Sequence, residues 1–364
     1  MLQDIYKLGN MYFYKKYMKL NRKQHPLVDL FWECTLTCNA KCKHCGSNAE
    51  NKTYQDDLTT QEIKDGFLQI AEDMKANEIL VNVTGGEPLM RKDLCEVMQY
   101  ATDLGFHWGM TTNGMLFNEE TIAKLKEAKL ETVSISIDGL EKTHDEFRGV
   151  PGSYRTIVDN ISKLQKADFL NVIQVTTVFH KGNIDQLEAI YQEMKKLGID
   201  SWRLVSIDPI GRAQEQEDIL LDGADTKKIL DFILQHKKGE TMELIYGCPS
   251  FLGLEYEPEV RNGFFYCRAG INVASILHNG DLFVCPNVPR RKEWILGNIK
   301  QDRFSTVWNG KYDIYRKKDR TKDEDCNDCS YWDFCYGGAF HTFDFNTHKQ
   351  NRCIYKLLNH NEGG

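Results

Sequence analysis

Between residues 27 and 207 the chain alternates strand-like and helix-like patterns six times, and this constrains the fold more than any other feature. Leu27–Cys34, Ile79–Thr84, Phe106–Thr111, Val133–Ile137, Val172–Phe179 and Trp202–Ile207 read as short, β-rich apolar runs. Helical periodicity separates them over Thr59–Lys75, Lys92–Leu104, Asn118–Ala128, Ser153–Ala167 and Asn183–Leu197. Thr59 with Glu62 has the spacing of a capping box, which fixes where the first of these helices starts. Strands joined by crossover helices must pair in parallel, so the expected class is α/β. A closed eight-stranded barrel would need about two further units, so an incomplete barrel of six is expected.

The flanks differ from this core. Residues 1–24 read as an amphipathic helix rich in Tyr, Lys and Met that caps the following domain. The barrel is assigned to 25–212. Residues 213–247 begin acidic and contain a helix around Lys227–Lys238, a bridge. From Cys248 to the end at 364, Cys, Gly and aromatics rise and helical periodicity fades, as in a small domain held by metal rather than by a large core.

Twelve cysteines are unevenly placed: four lie between Cys34 and Cys45, seven between Cys248 and Cys353, and Cys95 stands between. The start has no secretory signal and no stretch is long and apolar enough to span a membrane, so a reduced cytoplasmic setting is expected, in which clustered cysteines are metal ligands rather than disulfides. A net charge of −7 argues against a general nucleic-acid binder.

Cys38, Cys42 and Cys45 form C-x3-C-x2-C directly after the first strand. Three thiolates are one short of the four that hold a [4Fe–4S] cube, which leaves one iron open. Zinc is the competing reading, but it wants four ligands and paired C-x2-C knuckles. Cys34 and Cys95 read as buried structural thiols. The C-x3-C-x2-C spacing resembles the hallmark of the radical S-adenosylmethionine (radical SAM) superfamily, with His44 as the aromatic before the third Cys. The resemblance implies a partial (β/α)6 TIM-like barrel, a [4Fe–4S] cluster whose open iron chelates SAM, and reductive cleavage of SAM to a 5′-deoxyadenosyl radical that abstracts hydrogen from substrate. Gly85-Gly86-Glu87-Pro88 follows the second strand and resembles the element that receives the SAM amino group, with Glu87 offering negative charge to the ammonium. Thr112-Asn113-Gly114 after the third strand resembles the loop near the adenosine, so Asn113 is a candidate contact, although a plain turn explains the residues equally. Ser136, in the SISIDG run that ends with Asp138 and Gly139, is implied to face the ribose or amino-acid part. Arg148 is a candidate clamp for the SAM carboxylate, against which stands a surface ion pair to Asp145 or Glu146. Gly211-Arg212 resembles the last barrel motif. All of these sit at C-terminal strand ends, the face on which barrel active sites are built.

The second group, Cys267-x12-Gly280-x4-Cys285, then Cys326-x2-Cys329-x5-Cys335 and Cys353, resembles the SPASM domain, an auxiliary iron–sulfur extension of peptide and protein maturases. The resemblance implies a distal cluster on Cys326, Cys329, Cys335 and Cys353, although spacing alone suits structural zinc equally. The proximal cluster would use Cys267 and Cys285, with Cys248 as an outside ligand, but Ala339 stands where the pattern has a further Cys. His341 is a substitute ligand to consider, so one or two auxiliary clusters are expected.

By resemblance, the leading function is hydrogen abstraction from a peptide or protein, with an electron donor of flavodoxin or ferredoxin type as partner. An anaerobic sulfatase maturase is the sharpest rival, but that family has Asp where Pro286 follows Cys285. Only 33 residues precede Cys34, too few for a leader-binding domain. A radical SAM reaction on a small molecule and a non-catalytic iron–sulfur protein that binds or transfers electrons also compete with it. The catalytic acid or base is not readable.

Overall fold

The computed structural model describes residues 2–239, 241–247 and 250–359, with side chains from residue 7 onward. Its body is a ten-stranded sheet. The six expected strands form in chain order as β1 (Asp29–Glu33), β2 (Leu80–Thr84), β3 (His107–Thr112), β4 (Thr132–Ser136), β5 (Val172–Phe179) and β6 (Ser201–Ser206), all in parallel. The helices follow suit: α1 (Leu2–Gln24), α2 (Thr60–Asp73), α3 (Leu94–Asp103), α4 (Glu119–Glu127), α5 (Glu141–Arg148), α6 (Ser153–Ala167), α7 (Leu187–Leu197) and α8 (Gly223–His236). The capping box of Thr59 and Glu62 opens α2.

Period-two patterning decides what each strand shows to either side. In β5, Ile173, Val175, Thr177 and Phe179 are buried, while Gln174, Thr176 and Val178 line an internal cavity. Trp32, Trp108 and Trp202 lie at 0% exposure in the core. Burying one such side chain stabilises by roughly 1.5–3 kcal/mol, so the strands are pinned in register.

Three features were not expected. First, α5 follows β4 over a stretch that reads as loop. Second, β7 (Glu243–Tyr246) extends the parallel sheet beyond β6. Third, β8 (Val273–Ile276), from the cysteine-rich region, pairs in parallel with β1 and turns through a hairpin into β9 (Asp281–Phe283) and then β10 (Gly297–Asn298). The sheet therefore runs continuously from the barrel into the C-terminal region. An Asn-Gly pair at Asn279-Gly280, a strong hairpin signal, sits in that turn, with Gly280 at φ +94°.

The N-terminal helix also departs from expectation. Its buried residues Met11 and Met18 pack with Phe251, Phe264, Tyr266 and Ile271, and Lys15 pairs with Asp333 at 2.9 Å. Its buried face thus packs on the C-terminal region, while Tyr14 and Tyr17 also line a cavity shared with strands β4–β7.

Candidate functional site

The first cysteine loop is built by backbone pairing with three other loops. Gly86 N–H donates to the Thr35 carbonyl at 2.7 Å and Glu87 N–H to the Thr37 carbonyl at 2.9 Å. The two chains are so close that a Cβ on Gly85 or Gly86 would stand 2.3 Å from the Thr35 or Thr37 oxygen, and Gly85 has φ +145°. The glycines thus permit close approach to the cysteine loop itself. The end of α5 closes the other side, with Lys41 N–H donating to the Arg148 carbonyl at 3.1 Å and Lys43 N–H to the Phe147 carbonyl at 3.0 Å. Arg212 N–H reaches the Cys45 carbonyl at 3.1 Å from beyond β6.

This bracing brings Cys38, Cys42 and Cys45 into one cluster with Ala40 and Ala49. Burial pushes the Cys38 thiol up to about 11, with the neighbouring Cys42 and Cys45 adding to it and the Ala40 N–H, 3.5 Å from its sulfur, opposing it. Arg148 Nη1 donates to Cys42 Sγ at 3.6 Å. Three gathered thiols beside a cation suit an iron–sulfur cube with one open corner, since thiolate ligands need compensating positive charge.

The supporting residues take specific places. Glu87, at 0% exposure, accepts from Thr112 Oγ1 at 2.7 Å, Asn113 N–H at 2.8 Å and Leu89 N–H at 3.2 Å. Burial raises its pKa against these bonds. Its carboxyl therefore ties the second loop to the third. Asn113 in turn donates from Nδ2 to Asn39 Oδ1 at 2.7 Å, within the cysteine loop. Pro88 is buried at the first position of a short 3₁₀ turn. Ser136 ends β4 and lines the cavity.

Arg148 pairs neither with Asp145 nor with Glu146. Its Nε lies 2.6 Å from Asp138 Oδ2, and Asp138 is fully buried. Burial opposes ionisation of Asp138, yet the Arg148 guanidinium, with the Val178 N–H at 2.8 Å, holds its carboxyl below the ordinary range. His44 stacks on Phe147 with centroids 4.6 Å apart, and Phe147 stacks on His180 at 3.9 Å. Burial drives His44 down to about 3 and His180 and His144 to about 4, so all three imidazoles stay neutral at pH 7. Asp138 as anchor, and the His–Phe–His stack, carry no signal in the sequence.

The cavity next to this corner measures about 1220 Å³. His44, Arg148 and Ser136 form one end; strands β4–β7 supply a wall including Gln174, Thr176 and Arg203; Tyr14, Tyr17 and Phe264–Tyr266 supply an aromatic wall. His341 also lines it and lies 3.6 Å from Asp208.

In the C-terminal region Cys326, Cys329, Cys335 and Cys353 all line one cavity of about 450 Å³. Burial pushes Cys326 and Cys335 up to about 12, with Cys353 contributing to both. Four thiols around one space fit a four-coordinate cluster. Cys267 and Cys285 also come together: burial takes Cys285 up to about 12, with Cys267 a further cause, and Phe340 N–H donates to Cys267 Sγ at 3.4 Å. Ala339 is buried next to that N–H, so two thiols are present there among the described residues, short of a full set. Cys248 lies outside the described residues. Among the described residues no helix is long and apolar enough to cross a membrane.

Residues 32–194 match the family model of the radical SAM superfamily, and residues 267–330 match SPASM, an iron–sulfur cluster-binding domain. The second match takes in Cys267, Cys285, Cys326 and Cys329 and ends before Cys335 and Cys353. An AdoMet-dependent heme synthase of Oleidesulfovibrio alaskensis is 30% identical over 330 residues, covering 84% of this chain and 81% of the relative. The mycofactocin maturase MftC of Mycolicibacterium smegmatis is 31% identical over 320 residues, covering 86% and 78%. Streptococcus suis SuiB bound to its precursor peptide SuiA shares the fold at a TM-score of 0.69 and 19% identity, covering 94% of this chain and 79% of that one. The chain belongs to the radical SAM superfamily: it is a radical SAM enzyme with an iron–sulfur cluster-binding SPASM domain.

Proposed function

We propose that this enzyme abstracts a hydrogen atom from a peptide or protein segment held in the 1220 Å³ cavity between the barrel strands and the aromatic wall. The observation that carries the reading is the convergence of Cys38, Cys42 and Cys45 with Arg148 at one end of that cavity. Cys38, Cys42 and Cys45 would hold the cluster, and Gly85, Gly86, Glu87, Pro88, Asn113, Ser136 and Arg148 would shape the place for SAM. With SAM bound, that cluster supplies a 5′-deoxyadenosyl radical.

The chain's own part is positioning. Glu87 fixes the second and third loops against each other. The buried Asp138 holds Arg148 beside Cys42. The His44–Phe147–His180 stack walls off this corner with flat rings, which keeps water away from it. Cys326, Cys329, Cys335 and Cys353 would hold an auxiliary cluster that accepts an electron or orders its surroundings. An electron donor of flavodoxin or ferredoxin type would serve the first cluster.

The similarity to MftC and the peptide-bound SuiB fold support a peptide substrate. Tyr17 lines the cavity and is 53% exposed, so the space opens beside an accessible aromatic rim suited to an extended chain. A small-molecule substrate is favoured by a different observation, the 30% identity to a heme synthase. The test is anaerobic turnover with SAM and a reductant in the presence of peptide pools. Formation of 5′-deoxyadenosine that rises with peptide, with a mass loss on the peptide, supports the proposal. Production that no peptide alters directs the search to small molecules.

A further inference from the structure

The charges along the cavity wall are paired with one exception. Arg148 pairs with Asp138 at 2.6 Å, Arg268 with Asp29 at 2.9 Å, and Arg261 with the buried Glu257 at 3.3 Å. Asp208 lies 3.6 Å from His341, beyond the end of β6. Arg203 lines the same cavity and is exposed to it, yet has no hydrogen-bond or ion-pair partner among the described residues.

Its position is fixed by strand register. Ser136, Thr176, Arg203 and Ile245 stand side by side on β4, β5, β6 and β7. Adjacent strands are about 4.8 Å apart, so Arg203 sits about 10 Å across the wall from Ser136. That places it on the same cavity face as the SAM corner and apart from it. Room for the guanidinium is built in: a Cβ on Gly247 would stand 2.5 Å from Arg203 Nε, and Gly247 has an ordinary φ, so space rather than conformation calls for glycine there. Arg261 and Arg268 line the same cavity, so like charges gather near Arg203. A cation held unpaired among like charges is stabilised by an incoming anion, and a planar guanidinium matches a carboxylate through two parallel N–H···O bonds.

We propose that Arg203 is the binding residue for one carboxylate group of the substrate, received at the β6 wall of the cavity while the reacting carbon faces the Arg148 end. One uncompensated cation suits one carboxylate. The neighbouring Tyr14, Phe264 and Tyr266 suit an aromatic or apolar body attached to it. This inference rests on the cavity being the substrate site.

The test uses the cluster-loaded full chain under argon and calorimetric titration with matched probes. One pair is 3-phenylpropionate and its neutral amide. The other is an acetylated, amidated short peptide with a central glutamate and its glutamine twin. The expected result is that the acid binds about ten-fold or more tightly than its neutral twin in at least one pair. Whichever pair shows the gap identifies a small-molecule or a peptide carboxylate as the source. In Arg203→Gln the gap closes, Arg203→Lys restores part of it, and SAM affinity and substrate-free 5′-deoxyadenosine formation stay as in the parent. If Arg203→Gln does not fold, Gly247→Ala, which crowds the guanidinium, is expected to close the gap instead. Equal binding of acid and amide in the parent overturns the inference. So does a gap that survives Arg203→Gln, or a loss of SAM affinity in that variant. A parent enzyme that makes no 5′-deoxyadenosine removes the proposed function and leaves the carboxylate result to stand alone.

Discussion

The two cysteine sites are held by different means. Around Cys38, Cys42 and Cys45, backbone bonds come from loops far along the chain, at Gly86–Glu87, Phe147–Arg148 and Arg212. Around Cys326, Cys329, Cys335 and Cys353, most backbone–backbone bonds among described residues run to partners three or four positions away, Asn351 N–H to the Thr342 carbonyl being longer, and distant ties come from side chains such as Arg352 to the Ile207 and Leu221 carbonyls. The helices there are four to six residues long, as in Trp332–Cys335 and Ile354–Asn359, and the strands Phe343–Asp344 and Lys349–Gln350 have two residues each. The first site is therefore braced by the loops of the barrel. The second has little regular structure of its own, so metal binding there supplies folding energy.

The largest expected contrast comes from deleting ligands at each site. Cys42→Ala is expected to abolish 5′-deoxyadenosine formation while leaving thermal unfolding close to that of the parent. Cys329→Ala is expected to open the 320–359 region to proteolysis. Similar proteolytic patterns in both variants would break the comparison.

A smaller effect is expected from Arg148→Met, which leaves the buried Asp138 carboxylate unpaired. A loss of about 3–5 kcal/mol in denaturant unfolding is expected, together with loss of activity. A shift under about 1 kcal/mol would mean that the barrel does not depend on this pair.

The smallest effect is in pH dependence. His44, His144 and His180 have folded pKa values of about 3 to 4, below the ordinary 6.5. Protonation therefore favours the unfolded chain. Their contribution is fully present above about pH 6.5 and is lost progressively below it, towards the folded values. Unfolding midpoints should fall between pH 7 and 5, and His144→Gln should flatten that fall. An unchanged slope would show that His144 is not buried as described.

Much of the barrel was legible because long parallel strands and amphipathic helices follow from periodicity. The same holds for the cysteine triad, whose spacing alone leaves an iron open. Helix α5 was not legible: Glu141–Arg148 is strongly polar and buries little besides His144 and Phe147, so it carries no apolar stripe. Without that helix, the pairing of Arg148 with Asp138 cannot be foreseen. The role of the Glu87 carboxyl was hidden because its partners, Thr112 and Asn113, belong to the next βα unit. Arg203, Arg261 and Arg268 come from a strand and two separate loop positions and meet only in three dimensions. The parallel pairing of β8 with β1 is set by tertiary contact between distant parts of the chain.

The central claim is that the first cysteine loop holds a catalytic cluster separate from the C-terminal metal site. It is tested most directly by counting iron, acid-labile sulfide and zinc per chain after anaerobic reconstitution, in the parent and in a Cys38/Cys42/Cys45→Ala triple variant. With four irons per cube, about 8 iron falling to about 4 is the result expected from one cluster on the triad and one on Cys326, Cys329, Cys335 and Cys353. About 12 falling to about 8 would add a proximal cluster near Cys267 and Cys285 and leave the claim intact. Iron that does not fall in the variant, or zinc in its place throughout, would contradict it.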